Sequence, residues 1–204
     1  CCYCYCGCDY TNYSQPCKAN SEKLNKKTDK EKRKIMFTIP FYKYKIEDWK
    51  NKKQEFVKLA NQKEYYIDPV SNVYTNYGRS SSLCITNVFN LVKNEFILFN
   101  QQANLNSSYI SDLWFQKYYE NQYHGVHNHG AIGFSSVLYI EFDKNEHKGT
   151  QFISPFTNPR GLTDTFNAEV DEGDLIIFPS VINHFTIPTQ SKKLRMILSM
   201  NIKF

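Results

Sequence analysis

The sequence predicts an α+β chain, mainly β, whose helices pack on the outside of a β-sandwich. Three observations predict it. Two amphipathic helical stretches lie in the first half of the chain. Beyond Ser107 the pattern turns to short alternating strands, separated by Gly, Pro, Asn and Asp turns at spacings of about ten residues. Fifteen Tyr and fifteen Phe in 204 residues, with 41% hydrophobic residues overall, supply enough apolar mass for one packed domain.

Taken in order, residues 1 to 35 stand apart. Six of the seven cysteines (Cys1, Cys2, Cys4, Cys6, Cys8 and Cys17) fall in the first 17 residues, and Lys18 to Lys34 is a polar, lysine-rich run without glycine or aromatics. The first Met is Met36, where globular patterning begins, so residues 1–35 are expected to be a disordered tail or non-native upstream translation. The alternating cysteines also allow a thiolate cluster for a soft metal, although no His joins them. Residues 36–204 are the expected domain. Met36 to Tyr44, broken by Pro40, suggests an edge strand. Asp48 can cap a helix to about Gln62, with Trp49, Phe56, Val57 and Ala60 on one face. After a loop from Asp68 to Ser82, a second helix from about Thr86 to Ala103 presents Val88, Leu91, Val92, Phe96 and Phe99.

Charge excludes several function classes. Of the net +5, residues 1–35 carry +4, so the body is close to neutral and lacks the footprint of a nucleic-acid binder. No stretch approaches the roughly 18–20 apolar residues of a membrane-spanning helix, and no segment has the apolar core of a secretory signal. With Cys84 the single cysteine of the body, a reducing compartment is expected, that is, the cytoplasm (a host's, were the chain viral).

The chemistry is concentrated in the strands. Three of the five histidines lie within Y-H-G-V-H-N-H-G (residues 123–130). Residues two apart on a strand share a face, so His127 and His129 can reach one metal ion. The best third ligand is His184, at the end of the buried run Leu175 to Phe178 and the breaker Pro179. Three neutral imidazoles leave coordination positions open, which suits non-haem Fe(II), although Zn(II), Ni(II) or Mn(II) would accept the same set. The alternative is that some of these rings are satisfied core or surface histidines. His124, its parity mixed by Gly125, and His147, in a charged loop, read as second-layer or surface residues. In the last strand, Leu194, Met196, Leu198 and Met200 share one face, and Arg195, Ile197, Ser199 and Asn201 the other. That second face resembles a polar pocket in which an Arg fork and a Ser hydroxyl could hold a carboxylate. Trp114, Gln116 and Tyr118 share a face of the strand before the histidines, and Tyr118 could offer its hydroxyl to the same ligand.

The segments L-W-F-Q-K-Y, H-N-H-G, S-S-V-L-Y-I, G-D-L-I-I-F-P-S-x-x-x-H and R-M-I-L-S-M-N together resemble the Fe(II)- and 2-oxoglutarate-dependent oxygenase superfamily, nearest the branch common in phage and marine microbial genomes. The resemblance implies a double-stranded β-helix (jelly-roll) holding Fe(II). It implies a dioxygenase, expected to be a hydroxylase, that uses O2 and couples 2-oxoglutarate decarboxylation to oxidation of an unidentified prime substrate. Carried over, His127 matches the first metal ligand, His184 the distal histidine and Arg195 the 2-oxoglutarate anchor, with Ser199 and Tyr118 beside it. His129 stands where most of the superfamily has Asp or Glu, so the ligand set is three histidines or includes a carboxylate such as Glu141. Two other classes compete. A cupin-type metalloprotein would not need Arg195, and a non-catalytic jelly-roll binding module would need no metal.

Overall fold

Eleven strands and two helices make up residues 38–204, which are the residues described by the computed structural model. The tail expected over residues 1–35 lies outside the described residues. Strand β1 (Tyr42–Lys45) precedes helix α1 (Trp49–Asn61). The short strands β2 (Tyr66–Ile67) and β3 (Tyr74–Thr75) follow, then helix α2 (Ser82–Gln102). The remaining strands run in succession: β4 (Tyr109–Tyr118), β5 (His124–His127), β6 (Phe134–Glu141), β7 (Gln151–Thr157), β8 (Thr163–Asn167), β9 (Asp174–Pro179), β10 (His184–Thr186) and β11 (Arg195–Lys203). They form a seven-stranded sheet, β1-β9-β6-β11-β4-β3-β2, and a four-stranded sheet, β5-β10-β7-β8, with every pairing antiparallel. This is a jelly-roll with two helices, as expected.

Alternation on the central strands explains the layers. Leu138 and Ile140 of β6, Leu175 and Ile177 of β9, and Met196, Leu198, Met200 and Ile202 of β11 point to one side. There they meet Phe56 and Ala60 of α1 and Val88, Val92, Phe96 and Phe99 of α2. Their neighbours Val137, Tyr139, Ile176, Phe178 and Ile197 point the other way and fill the space between the sheets with Phe152, Ile182 and Tyr118. Strand β9 is buried on both faces, hence its unbroken apolar run. Each fully buried Phe contributes about 1.5–3 kcal/mol, so the helices are held chiefly by this contact and not by their own propensity.

One helix start differs from expectation, and the other is capped differently. Helix α2 begins at Ser82, four residues early, because Ser81 accepts a hydrogen bond from the Cys84 N–H (3.3 Å) and nucleates a turn within the serine run. Asp48 does occupy the cap position of α1. Its backbone is left-handed (φ 53°) and its carboxylate bonds the Asn51 side chain, with no side-chain bond to the helix backbone. The Asp68–Ser82 loop is also more ordered than read, since β3 pairs with β4.

Helix α1 is pinned to the sheet by polar contacts at its start. Trp49 Nε1 donates to Glu172 (3.1 Å), and Lys53 bridges Glu172 and Glu141 at 2.8 Å each. The Trp49 ring covers Gly173, a turn residue at φ 82° where a β-carbon would lie 2.7 Å from the indole. Gly173→Ala is therefore expected to lower stability by roughly 1–3 kcal/mol, from backbone strain together with displacement of Trp49. Urea unfolding followed by tryptophan emission checks this, and an unchanged midpoint would contradict it.

Candidate metal centre

His127, His129 and His184 come together between the sheets, each offering a ring nitrogen within 4.8 Å of the others. Their ring centroids are 4.3 Å (His127–His184), 5.0 Å (His129–His184) and 5.2 Å (His127–His129) apart. Strand pairing sets two of them, because His184 is the cross-strand partner of His127. His129 lies beyond the end of β5, so simple alternation does not place it. Its backbone N–H donates to Ser180 O (2.9 Å), which draws this turn onto the loop that precedes His184.

Each ring is oriented through its Nδ1. His127 Nδ1 donates to Gly125 O (2.8 Å), His184 Nδ1 to Ile182 O (2.9 Å) and His129 Nδ1 to Asn201 Oδ1 (2.7 Å). The Ser135 hydroxyl also faces Asn201 Oδ1 (3.5 Å). A neutral imidazole carries one N–H, so a hydrogen spent at Nδ1 leaves the Nε2 lone pair free, three times over. Burial pushes all three rings below the ordinary histidine range. His184 falls to about 3, chiefly through burial and then through the neighbouring His127, whereas burial of His127 and His129 is partly offset by their hydrogen bonds. The donor set is thus neutral and suits a divalent cation.

The other expected site residues lie along β4 and β11. Arg195 is opposite Tyr118, Ile197 opposite Gln116, Ser199 opposite Trp114 and Asn201 opposite Asp112, all on the face that looks toward the small sheet. Arg195 is 1% exposed, and none of its three guanidinium nitrogens has a hydrogen-bonding partner among the described residues. Its planar group lies over the Tyr118 ring (4.5 Å) and nearer that ring than Tyr139 (5.8 Å). Burial raises the Tyr118 phenol, against the opposing pull of the Arg195 charge and the Thr186 hydroxyl. Ser199 directs its hydroxyl to Gln116 Oε1 (3.3 Å). Glu141 is not brought to the histidines, being tied to Lys53 on α1. His147, read as surface or second-layer, is buried away from the cluster. It accepts the Asp143 N–H at Nδ1 (3.1 Å) and donates to Lys193 O from Nε2 (3.1 Å).

Two residues carry more than the sequence suggested. Asn201 was visible only as one polar residue on the pocket face, and it orients His129. His124 stacks on His127 at 3.9 Å. Three steps of β5 (His124 to His127) oppose two steps of β10 (Thr186 to His184), a bulge that reverses the usual alternation and turns both rings to the same side. The flanking cleft, about 430 Å³, is lined by His124, His127, His129, Gln116 and Asn201 and walled by Asp68, Val70, Tyr77 and Trp114.

The jelly-roll thus brings together an imidazole trio that could hold a metal ion, a cleft beside it and a buried Arg195 without a hydrogen-bonding partner among the described residues. Residues 112–201 match the family described as "Putative 2OG-Fe(II) oxygenase". Among solved structures, a Pseudomonas putida prolyl-4-hydroxylase shares 14% identity, with 81% of this chain and 93% of that chain covered, and a TM-score of 0.57. The viral collagen prolyl hydroxylase of Paramecium bursaria Chlorella virus-1, in its 2OG complex, shares 13% over 79% and 94%, with a TM-score of 0.54. HygX of Streptomyces hygroscopicus, with nickel and 2-oxoglutarate bound, shares 9% over 81% and 83%, with a TM-score of 0.59. No curated protein matches the chain. The fold is that of these 2OG-Fe(II) oxygenase structures, and the family match falls on the segments that carry the resemblance in the sequence.

Two outcomes follow for this site. Asn201→Leu, which removes the partner of His129 Nδ1, is expected to weaken divalent-metal affinity about 10- to 100-fold, measured by calorimetry with Co(II) or Zn(II). In the metal-free protein the folded rings resist protonation while the unfolded chain takes up protons from about pH 6.5 downward. Stability conferred by the neutral rings is therefore present above pH 6.5 and is lost as the pH falls towards about 3, where His124 and His184 titrate when folded. Urea midpoints between pH 7.5 and 4 should fall, and His184→Asn should flatten the slope.

Proposed function

We propose that this chain is an Fe(II)- and 2-oxoglutarate-dependent dioxygenase, acting as a hydroxylase, in which His127, His129 and His184 hold the metal and Arg195 anchors the distal carboxylate of 2-oxoglutarate. The observation that carries this reading is Arg195. A buried guanidinium without an anion is costly, and an Arg fork is matched to a carboxylate. The family match, the jelly-roll and the neutral imidazole trio support the same reading.

Iron(II) with 2-oxoglutarate and O2 supplies decarboxylation of the keto acid to succinate and CO2, with one oxygen atom transferred to a C–H bond of the substrate. The chain's own residues position and shield. Three Nδ1 hydrogen bonds leave three Nε2 lone pairs available within one cluster, and the Arg195 guanidinium lies over the Tyr118 ring. Trp114 and Tyr77, edge to face at 4.9 Å, with Val70, give the cleft an apolar wall that restricts water. With no carboxylate in the ligand trio, the metal would sit in a site one unit more positive than the usual two-histidine, one-carboxylate set. The prime substrate is read by the walls of this cleft, in which Val70 and Tyr77 are exposed apolar surface. Among the described residues no helix is long and apolar enough to cross a membrane. We place the protein in the cytoplasm and assign residues 36–204 to the catalytic domain.

Anaerobic titration with Fe(II) and then 2-oxoglutarate should give a weak visible charge-transfer band. Arg195→Met should weaken 2-oxoglutarate binding at least roughly 100-fold. The same variant, tested without ligands, should be as stable as the parent or more so, by up to about 1–4 kcal/mol, since it removes an uncompensated charge. Loss of stability with unchanged 2-oxoglutarate affinity would make Arg195 a structural residue and favour the cupin-type reading.

A further inference from the structure

The proposed function leaves His124 without a task, yet it is the histidine in closest ring contact with the metal trio. Its hydrogen bonding is opposite in sense to theirs. The Ser199 hydroxyl donates to Gln116 Oε1 (3.3 Å), and the Nε2 of the same amide lies against His124 Nδ1 (3.1 Å). An amide nitrogen can only donate, so His124 Nδ1 accepts, and a neutral ring must then carry its hydrogen on Nε2. Two imidazoles stacked at 3.9 Å thus hold opposite tautomers: His127 keeps an Nε2 lone pair, and His124 keeps an Nε2–H. With that hydrogen in place His124 is a poor fourth ligand and a ready donor, and no acceptor for its Nε2 is found among the described residues.

Register gives the donor a direction. On the inner face of β4, Trp114 lies beside His129 (5.3 Å), Gln116 holds His124 and Tyr118 lies under Arg195. His124 therefore stands beside the middle of these three positions, with roughly 7 Å of strand between Gln116 and Tyr118. A ligand laid along β4 from His129 to Arg195 would run past it. Accordingly, we infer that His124 is a hydrogen-bond donor to the metal-proximal carboxylate or keto oxygen of the bound 2-oxo acid, with its tautomer set by the Ser199–Gln116 pair acting as positioning residues. This inference rests on the proposed function.

The test has two arms, both on the full chain. Long-range proton–nitrogen correlation spectra of histidine-labelled protein, metal-free and with Zn(II), report each tautomer directly. His127, His129 and His184 should appear as Nδ1–H and His124 as Nε2–H. An Nδ1–H form of His124, or a Zn(II)-induced coordination shift at its Nε2, would overturn the inference. In the second arm, Fe(II) and 2-oxoglutarate are titrated anaerobically into His124→Phe, which keeps a stacking ring without a donor, and into His124→Gln, which keeps a donor. The expected result is Fe(II) affinity within about threefold of the parent in both, about tenfold weaker 2-oxoglutarate binding in the Phe variant, and recovery in the Gln variant. Gln116→Leu, which frees the tautomer, should fall between them. Equal 2-oxoglutarate affinity in His124→Phe and parent would overturn the role of His124 while leaving the proposed function standing. A parent that binds Fe(II) but no 2-oxoglutarate would remove both.

Discussion

A single unpaired positive charge constrains this structure more than any other feature. Arg195 lies on the central strand of the large sheet, 1% exposed, with tyrosine rings for company and no carboxylate among the described residues within bonding reach. Taking a guanidinium out of water costs several kcal/mol, and aromatic faces return only part of that, about 2 kcal/mol or a little more. The fold tolerates the deficit because the opposite face of β11 is fully committed: Met196, Leu198, Met200 and Ile202 are locked against the helices. The strand cannot rotate to release the charge without losing that packing. The energy of a dense hydrophobic layer in this way keeps a cation buried without a hydrogen-bonding partner among the described residues.

The same strand also orders the metal trio. Asn201 at one end orients His129, Ser199 steadies Gln116 and through it His124, and Arg195 closes the other end. One run of alternate residues therefore carries Arg195 and the hydrogen-bonding partners of Gln116 and His129. The histidines themselves come from β5, from the turn after it and from β10 in the small sheet. The site is accordingly a property of the distance between the two sheets, held by residues such as Phe152, Phe178 and Ile182 between them.

Much of this was legible in the sequence because it rests on period-two patterning. The division of β11 into an aliphatic and a polar face and the inward face of β4 follow from alternation, the burial of β9 follows from its unbroken apolar run, and the helix faces follow from their 3.6-residue period. What escaped depended on breaks in periodicity or on partners distant in sequence. Alternation would have sent His124 and His127 to opposite sides, and only the bulge, a matter of pairing with β10, returns them to one side. Glu141 looked available as a ligand because nothing local shows that Lys53, 88 residues earlier, neutralises it. His147 looked exposed for a similar reason, since its acceptor is the Lys193 carbonyl on a remote turn. The early start of α2 was hidden in a serine run that reads equally well as loop or cap.

The position of β11 between β6 and β4 also has a kinetic side. Those two strands have no direct pairing, so the large sheet stays divided until the segment 195–203 inserts and hydrogen-bonds along both edges. Before that moment each half presents an open, apolar strand border, the kind of surface through which nascent chains stick to one another. Closure of so long a loop is slow, and until the segment 195–203 is in place the cleft lacks both Arg195 and Asn201, the partner of His129.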